Sequence, residues 1–461
     1  MSDCQWPAFE PYKTKMVEKI PLTTPSQRRA AAERAKYNLF LLRANEVTID
    51  LLTDSGTAAM SDQQWSRIMV GDESYAGAES FHRFDKVVRE ITGMEHVLPC
   101  HQGRAAENLL FSAMLKPGDI VLNNTHFDTT EANVVTKGGR PVNLPCGEAL
   151  DPLSDAPFKG NMDVARLDCT LADNPGRVAL VMMTVTNNSV GGQPVSMANI
   201  RDASAVCKEH KVPFFLDCAR YAENCWFIQR REPGYLKKSL TAIAHEMFGY
   251  ADGALMSAKK DAFVNIGGFL AMRDAELRTR VAVQMVVVEG YVTYGGLAGR
   301  DLEAIAQGLR EGLDEDYMTG RIRQVALLHR RLTELGVPCL NPAGGHAVFL
   351  DARRMVPGVP QSQFPGHAVA VELYLEGGVR GCEIGSVMFA HPDSVTGEMT
   401  YPALELVRLA IPRRVYSDNH MEHVARTCAA VTARADRIAG MRFIYEPPRL
   451  KHFLAHFDRV K

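Results

Sequence analysis

The chain has 461 residues, of which 52 are Lys or Arg and 54 are Asp or Glu, giving a formal net charge of -2, and 46% are hydrophobic. That length suits two or three domains around a large core, and the balanced charge leaves no electrostatic footprint for nucleic acid or an anionic membrane surface. Ten cysteines are scattered singly from Cys4 to Cys428, and no stretch is long and apolar enough for a secretory signal or a bilayer span. Free thiols in a reducing, cytoplasmic compartment are expected.

Residues 1–58 read as an N-terminal arm that contributes to a smaller domain. Thr24-Pro25-Ser26-Gln27 opens a charged, Ala-rich helix to Ala35, and Val47 to Leu52 forms a short strand running into the polar turn Thr53-Asp54-Ser55-Gly56. Over 59–312 strand and helix patterns alternate, which predicts a large domain with a mostly parallel sheet covered by helices on both faces. His96-Val97-Leu98-Pro99 is a short strand, followed by the turn Cys100-His101-Gln102-Gly103-Arg104 and a helical run from Ala105 to Leu115. Gly at a helix entrance lets backbone N–H groups approach an anion, so this turn suits a phosphate. The next strand, Ile120 to Asn124, ends in Thr125-His126-Phe127-Asp128, with an aromatic ring and a carboxylate at its rim. Val178 to Thr186 as a strand, Ser196 as N-cap, Met197 to Glu209 as a helix and Val212 to Asp217 as a strand make a βαβ crossover. Ligands collect beyond the carboxyl ends of such strands, which places Asn188 and Asp217 in one crevice. A second, α+β domain is expected over 313–461, with a helix from Met318 to Leu335, strands ending near Asp351 and Leu409, and a helix from Asn419 to Arg437.

The stretch Met256-Ser257-Ala258-Lys259-Lys260, after a buried strand that delivers Asp217 to its carboxyl end, carries most of the chemistry. A pyridoxal phosphate site needs a Lys amine for the Schiff base, a carboxylate for the pyridinium nitrogen and a hydroxyl for the phosphate. The competing reading is a strand ended by a capping Asp, with a solvated Lys pair. Three weaker patterns fall away. His245-Glu246 lacks a second His four residues on, where Gly249 stands; Gly295-Gly296-Leu297-Ala298-Gly299 lacks dinucleotide-loop spacing and suits a close backbone approach or hinge; the histidines are too dispersed for a metal cluster.

With Asp217, Arg220 and Lys260 placed, the chain resembles the β-eliminating lyases of the tryptophanase and tyrosine phenol-lyase family over almost its whole length. The matching segments include Ile49 to Thr57, Gly71-Asp72-Glu73, His101 to Arg104, Gly191 to Ser196, Ser257 to Lys260, Tyr294 to Gly299, Gly344 to Asp351 and Ile411 to Tyr416. The resemblance implies a fold-type I pyridoxal phosphate architecture, a homotetramer with active sites shared between subunits, and activation by potassium. It implies Lys260 as the Schiff-base lysine, Asp217 as the pyridinium partner, Asn188 and Arg220 at the ring oxygen, and Gln102, Gly103, Arg104 and Ser257 at the phosphate, with Phe127 over the ring. Arg408 resembles the arginine that grips the substrate α-carboxylate, beside Thr53 and Ser55. Tyr75 matches a tyrosine near the leaving group and, across a subunit boundary, the phosphate. Glu73 with the carbonyls of Gly56 and Asn265 resembles the potassium site.

Within that family, phenol-lyases are expected to carry Thr, Arg and Phe where this chain has Asp128, Ile384 and His452. An acceptor-only carboxylate suits the donor-only indole N–H, and an apolar Ile suits a benzo ring. These positions imply cleavage of L-tryptophan to indole, pyruvate and ammonia, with Lys260 as α-proton base and Tyr75, or a water near it, as acid. Tyrosine phenol-lyase and cysteine-S-conjugate β-lyase are the near alternatives, an aminotransferase is chemically adjacent, and a silent regulator is the non-enzyme one. Tyr291 departs from the family's usual Phe or Met near the aromatic pocket.

Overall fold

A computed structural model describes residues 9–393 and 396–460. Its centre is a seven-stranded sheet built from β1 (His96–Cys100), β2 (Ile120–Asn123), β3 (Arg140–Asn143), β4 (Val178–Thr184), β5 (Phe214–Asp217), β6 (Gly253–Ser257) and β7 (Gly268–Met272), in the order β1-β7-β6-β5-β4-β2-β3. β2 to β6 and β3 run parallel where they pair, and β7 runs antiparallel to both β6 and β1. The strands read as continuous apolar runs because helices cover both faces. One face packs Leu216, Ala254 and Phe269 against Phe84, Ile243 and Phe248, and the other packs Leu180, Phe215 and Leu255 against Leu109, Leu110 and Met285.

Helix α1 (Gly103–Met114) follows β1, and α2 (Asp128–Thr136) follows β2. α3 (Met197–Glu209) starts at Ser196, whose side chain accepts from the Asn199 N–H, and returns the chain to β5 as the crossover pattern requires. α4 (Tyr221–Arg231) begins directly after Arg220. Gly295 is a close-approach residue: a Cβ there would stand 2.0 Å from the Pro99 carbonyl oxygen.

A second apolar body combines Ala31 to Leu51 with Val325 to Phe457. It holds a three-stranded antiparallel sheet of β8 (Ala347–Asp351), β9 (Cys382–Ile384) and β10 (Leu406–Ala410), in the order β9-β10-β8. The arm joins it through Ile49–Asp50, which pairs in parallel with Val379–Arg380. The helix Glu315–Glu334 belongs to both bodies: Tyr317, Met318 and Ile322 pack in the first, and Val325, Leu328 and Leu332 in the second.

Candidate active site

A cavity of about 250 Å³ opens between the carboxyl ends of the central strands and the second body. Thr53, Ser55, Gln102, Gly103, Arg104, Phe127, Asp128, Asn188, Asp217, Arg220, Ser257, Lys260, Arg408 and His452 all line it. β1, β2, β4, β5 and β6 each end here, so residues far apart in sequence share one wall, as the switch-point rule requires.

One part of the wall suits an anion. Gln102 is the N-cap of α1, and no side chain caps that helix start. A Cβ on Gly103 would lie 2.8 Å from Ser257 Cβ, so only the bare backbone lets β6 and α1 approach closely. Lys259 Nζ lies 3.5 Å from Gln102 Oε1, and burial together with the nearby Arg104 lowers its pKa. A helix start, a buried hydroxyl and two cations form a donor set that fits a phosphate.

Burial raises the pKa of Asp217, although the neighbouring Lys260 pulls it back. Burial lowers the Lys260 ammonium to about 7, aided by the Arg220 guanidinium and opposed by Asp54 and Asp217. An amine half neutral near pH 7 is a competent nucleophile and base. The cavity thus sets a reactive amine beside a buried carboxylate and a phosphate cradle, which fits pyridoxal phosphate.

Elsewhere the wall suits an amino acid. Arg408 comes from β10, is 6% exposed, and donates from Nη1 to Asn188 Oδ1 at 3.3 Å and from Nη2 to the Leu52 carbonyl at 3.1 Å. Its Nε has no partner, so the guanidinium has donor capacity left for a carboxylate. Asp128 and His452 are both buried and meet at 2.8 Å between Oδ2 and Nε2. Phe40 and Phe453 pack on the His452 ring, with centroids 5.7 and 4.0 Å away, and both line the cavity with Met388.

Several expected site residues lie elsewhere. Ile384 is 2% exposed in the apolar cluster with Leu340, Phe349 and Leu406, and it does not line the cavity; Cys382, one pleat earlier on the same face, does. The apolar wall comes instead from Phe40, Met388 and Phe453. Tyr75 is 71% exposed and stacks on Tyr291 at 5.9 Å, outside the cavity. Glu73 faces Arg300 at 3.5 Å, whereas the Gly56 carbonyl accepts a bond from Asn265 Nδ2 at 3.1 Å, so these three groups do not form a cation cage within one chain. Sequence reasoning also missed three polar groups. Lys259 lines the cavity beside Gln102, although its sequence context suggests only a solvated Lys pair. Glu107, one turn into α1, lines the cavity, and burial with the nearby Asp217 raises its carboxyl to about 7. Asp54 is fully buried between Arg220 and Arg413. A carboxylate at a helical position or inside a turn carries no motif, so only tertiary structure exposes these roles.

A beta-eliminating lyase family model matches residues 50–427. The chain belongs to the β-eliminating lyase family. This lyase is 50% identical over 453 residues to the tryptophanase of Hyphomonas neptunium, covering 98% of this chain and 99% of the relative. It is 49% identical over 458 residues to the tyrosine phenol-lyase of Symbiobacterium sp., covering 99% and 100%. Bna3p, a putative kynurenine aminotransferase from Saccharomyces cerevisiae, superposes on the lyase with a TM-score of 0.63 at 18% identity, over 90% of this chain and 96% of that one. That likeness shows the fold, and it agrees with the mostly parallel α/β sheet expected from the strand and helix pattern and with the fold-type I architecture that the resemblance implies. Among the described residues every cysteine is free, and no helix is long and apolar enough to cross a membrane.

Proposed function

We propose that this β-eliminating lyase uses pyridoxal phosphate to cleave L-tryptophan into indole, pyruvate and ammonia. The observation that carries the substrate choice is the buried Asp128–His452 pair in the cavity wall. Overall identity does not separate the two activities, since relatives named for each stand at 50% and 49%.

Lys260 would hold the cofactor, with Gln102, Gly103, Arg104 and Ser257 at its phosphate, Asp217 at its ring nitrogen and Phe127 over its ring. When bound, the cofactor supplies an electron sink for the substrate α-carbon. Arg408 grips the α-carboxylate, and Asn188 and the Thr53–Ser55 turn fix its orientation. The Lys260 amine takes the α-proton; with a pKa near 7 it can both accept and return a proton close to neutrality. Asp128 accepts the indole N–H and stabilises positive charge that develops on the ring as C3 gains a proton, while His452 holds the carboxylate in place. Phe40, Met388 and Phe453 exclude water around the benzo ring.

Tyr75 remains the candidate acid at C3. Its exposure on one chain requires that it reach the cavity from a second copy, which is the shared-site homotetramer implied by the resemblance. A potassium site likewise needs Glu73 to meet Gly56 and Asn265 at a contact between copies, and no step above depends on it.

The test is incubation with L-tryptophan, with indole and pyruvate measured, beside borohydride reduction and peptide mapping. Equimolar indole and pyruvate with label on Lys260 are expected. Absence of indole defeats the substrate reading, and label on Lys259 defeats the assignment of the amine.

A further inference from the structure

Asp54 sits inside the turn that carries Thr53 and Ser55 and is fully buried. Its carboxylate meets the Arg220 guanidinium side-on, accepting from Nη2 on Oδ1 at 2.7 Å and from Nε on Oδ2 at 3.0 Å. Oδ2 also accepts from Arg413 Nη1 at 2.8 Å. Arg413, itself fully buried just beyond β10, donates from Nη2 to Asp261 Oδ1 at 2.7 Å and to Glu223 Oε1 at 2.6 Å. Asp261 immediately follows Lys260, and Arg220 lines the cavity. Two guanidinium groups and three carboxylates therefore tie together the 53–55 turn, the entrance of α4, the lysine turn and the end of a strand from the second body. Bidentate geometry fixes the plane of a guanidinium as well as its position. Among the described residues, no other side-chain hydrogen bond holds the plane of Arg220 toward the cavity.

We propose that Asp54 is a positioning residue, holding the Arg220 guanidinium in the cavity wall against Lys260 and, through Arg413, locking it to the turns that carry Ser55 and Lys260. The inference rests on Lys260 being the reactive amine of the proposed function. It assigns Asp54 no contact with substrate or cofactor.

The charged groups facing Lys260 are Arg220 from the start of α4, Asp54 from the turn, Asp217 from β5 and the adjacent Lys259. Two roles for Asp54 predict opposite signs. A carboxylate acting only as a neighbouring charge favours the ammonium, so its loss would move the Lys260 titration down. A carboxylate acting by positioning releases Arg220 when it is lost, and the titration moves up because a cation that disfavoured the ammonium has left.

The experiment is reductive methylation of the cofactor-free protein across pH 5–10, with the rate at Lys260 read by peptide mass spectrometry. The wild-type midpoint is expected near the value of about 7 given above. Asp54→Asn should raise the midpoint by about one unit, which is about a tenfold slower reaction below it. Arg220→Gln should raise it similarly, and the double variant should add no further shift, because the first residue acts through the second. A midpoint that falls or stays in Asp54→Asn overturns the proposal, as do shifts that add in the double variant. If Asp54→Asn does not accumulate as folded protein, Arg220→Gln alone decides: an unmoved Lys260 midpoint removes the last link. Capture of cofactor is not read in this experiment, so failure of borohydride trapping at Lys260 would defeat the function while leaving these titrations valid.

Discussion

Asp128→Ala separates the indole reading from a general structural role. Asp128 stands in the first turn of α2 at 7% exposure, with Oδ1 accepting from the Thr129 N–H at 2.6 Å and Oδ2 lying 2.8 Å from His452 Nε2. Held this way, the carboxylate sheds no water and makes no movement when positive charge appears on an indole ring opposite it. Loss of one preorganised contact of this kind typically costs about 100-fold or more in rate, or ~2.7 kcal/mol of barrier. A thiolate leaves S-ethylcysteine without charge at any ring N–H, so its cleavage should fall by less than about tenfold. The substitution also strands His452, whose Nδ1 already lacks a partner, at a stability cost of about 1–3 kcal/mol. Melting curves recorded beside kcat/KM for both substrates keep that loss apart from catalysis. Equal losses on L-tryptophan and S-ethylcysteine would place the carboxylate in fold maintenance or cofactor retention and refute the role assigned to it.

Three other substitutions test the cavity. Lys260→Ala should abolish turnover while phosphate-anchored cofactor still binds weakly, as seen by equilibrium dialysis; residual turnover above about one part in a thousand would mean that another base serves. Gly103→Ala should weaken cofactor affinity at least about tenfold with the fold intact by circular dichroism, because its Cβ meets Ser257 Cβ at 2.8 Å; unchanged affinity would remove the close approach from the phosphate cradle. Glu107→Gln tests a pH dependence. The folded carboxyl is raised from 4.5 to about 7, so its favourable contribution is complete below the unfolded value and is lost as pH rises through the folded one. Wild-type cofactor-free protein should therefore lose up to about 3 kcal/mol between pH 4.5 and 7 from this group. The Gln variant should lack that slope in denaturant titrations, and an identical slope would mean that Glu107 ionises normally.

Most of the layered fold is legible from periodicity. The strand end at Asp217, the Ser196 cap and the α3 crossover are local patterns, and the structure places them within a few residues of where the sequence puts them. Asp217 and Gly103 are legible for the same reason, since one ends a strand and the other opens a helix, while Lys260 stands in the turn just after β6; the topology sends all three to one crevice. Arg408 and His452 depend on the family resemblance, since nothing local marks an Arg in a buried strand. Ile384 shows the limit of placement by correspondence. Period 2 puts it on the same face as Cys382, but the sheet carries it one pleat too far from the opening, and Met388 occupies the wall. Tyr75 and Glu73 show another limit, because both are exposed and away from the cavity on a single chain, and the roles proposed for them need a second copy. Asp54 and Arg413 carry no local signal of their burial, because buried ion networks join distant segments without any spacing rule.

The most direct measurement is a competition in one vessel. L-Tryptophan and L-tyrosine are supplied together at equal concentration to protein loaded with pyridoxal phosphate, and indole, phenol and pyruvate are quantified by chromatography. Indole should accumulate with matching pyruvate and little phenol, because the Asp128–His452 pair offers an acceptor to a ring N–H. Phenol exceeding indole would contradict tryptophan as the preferred substrate, and pyruvate from neither amino acid would contradict both.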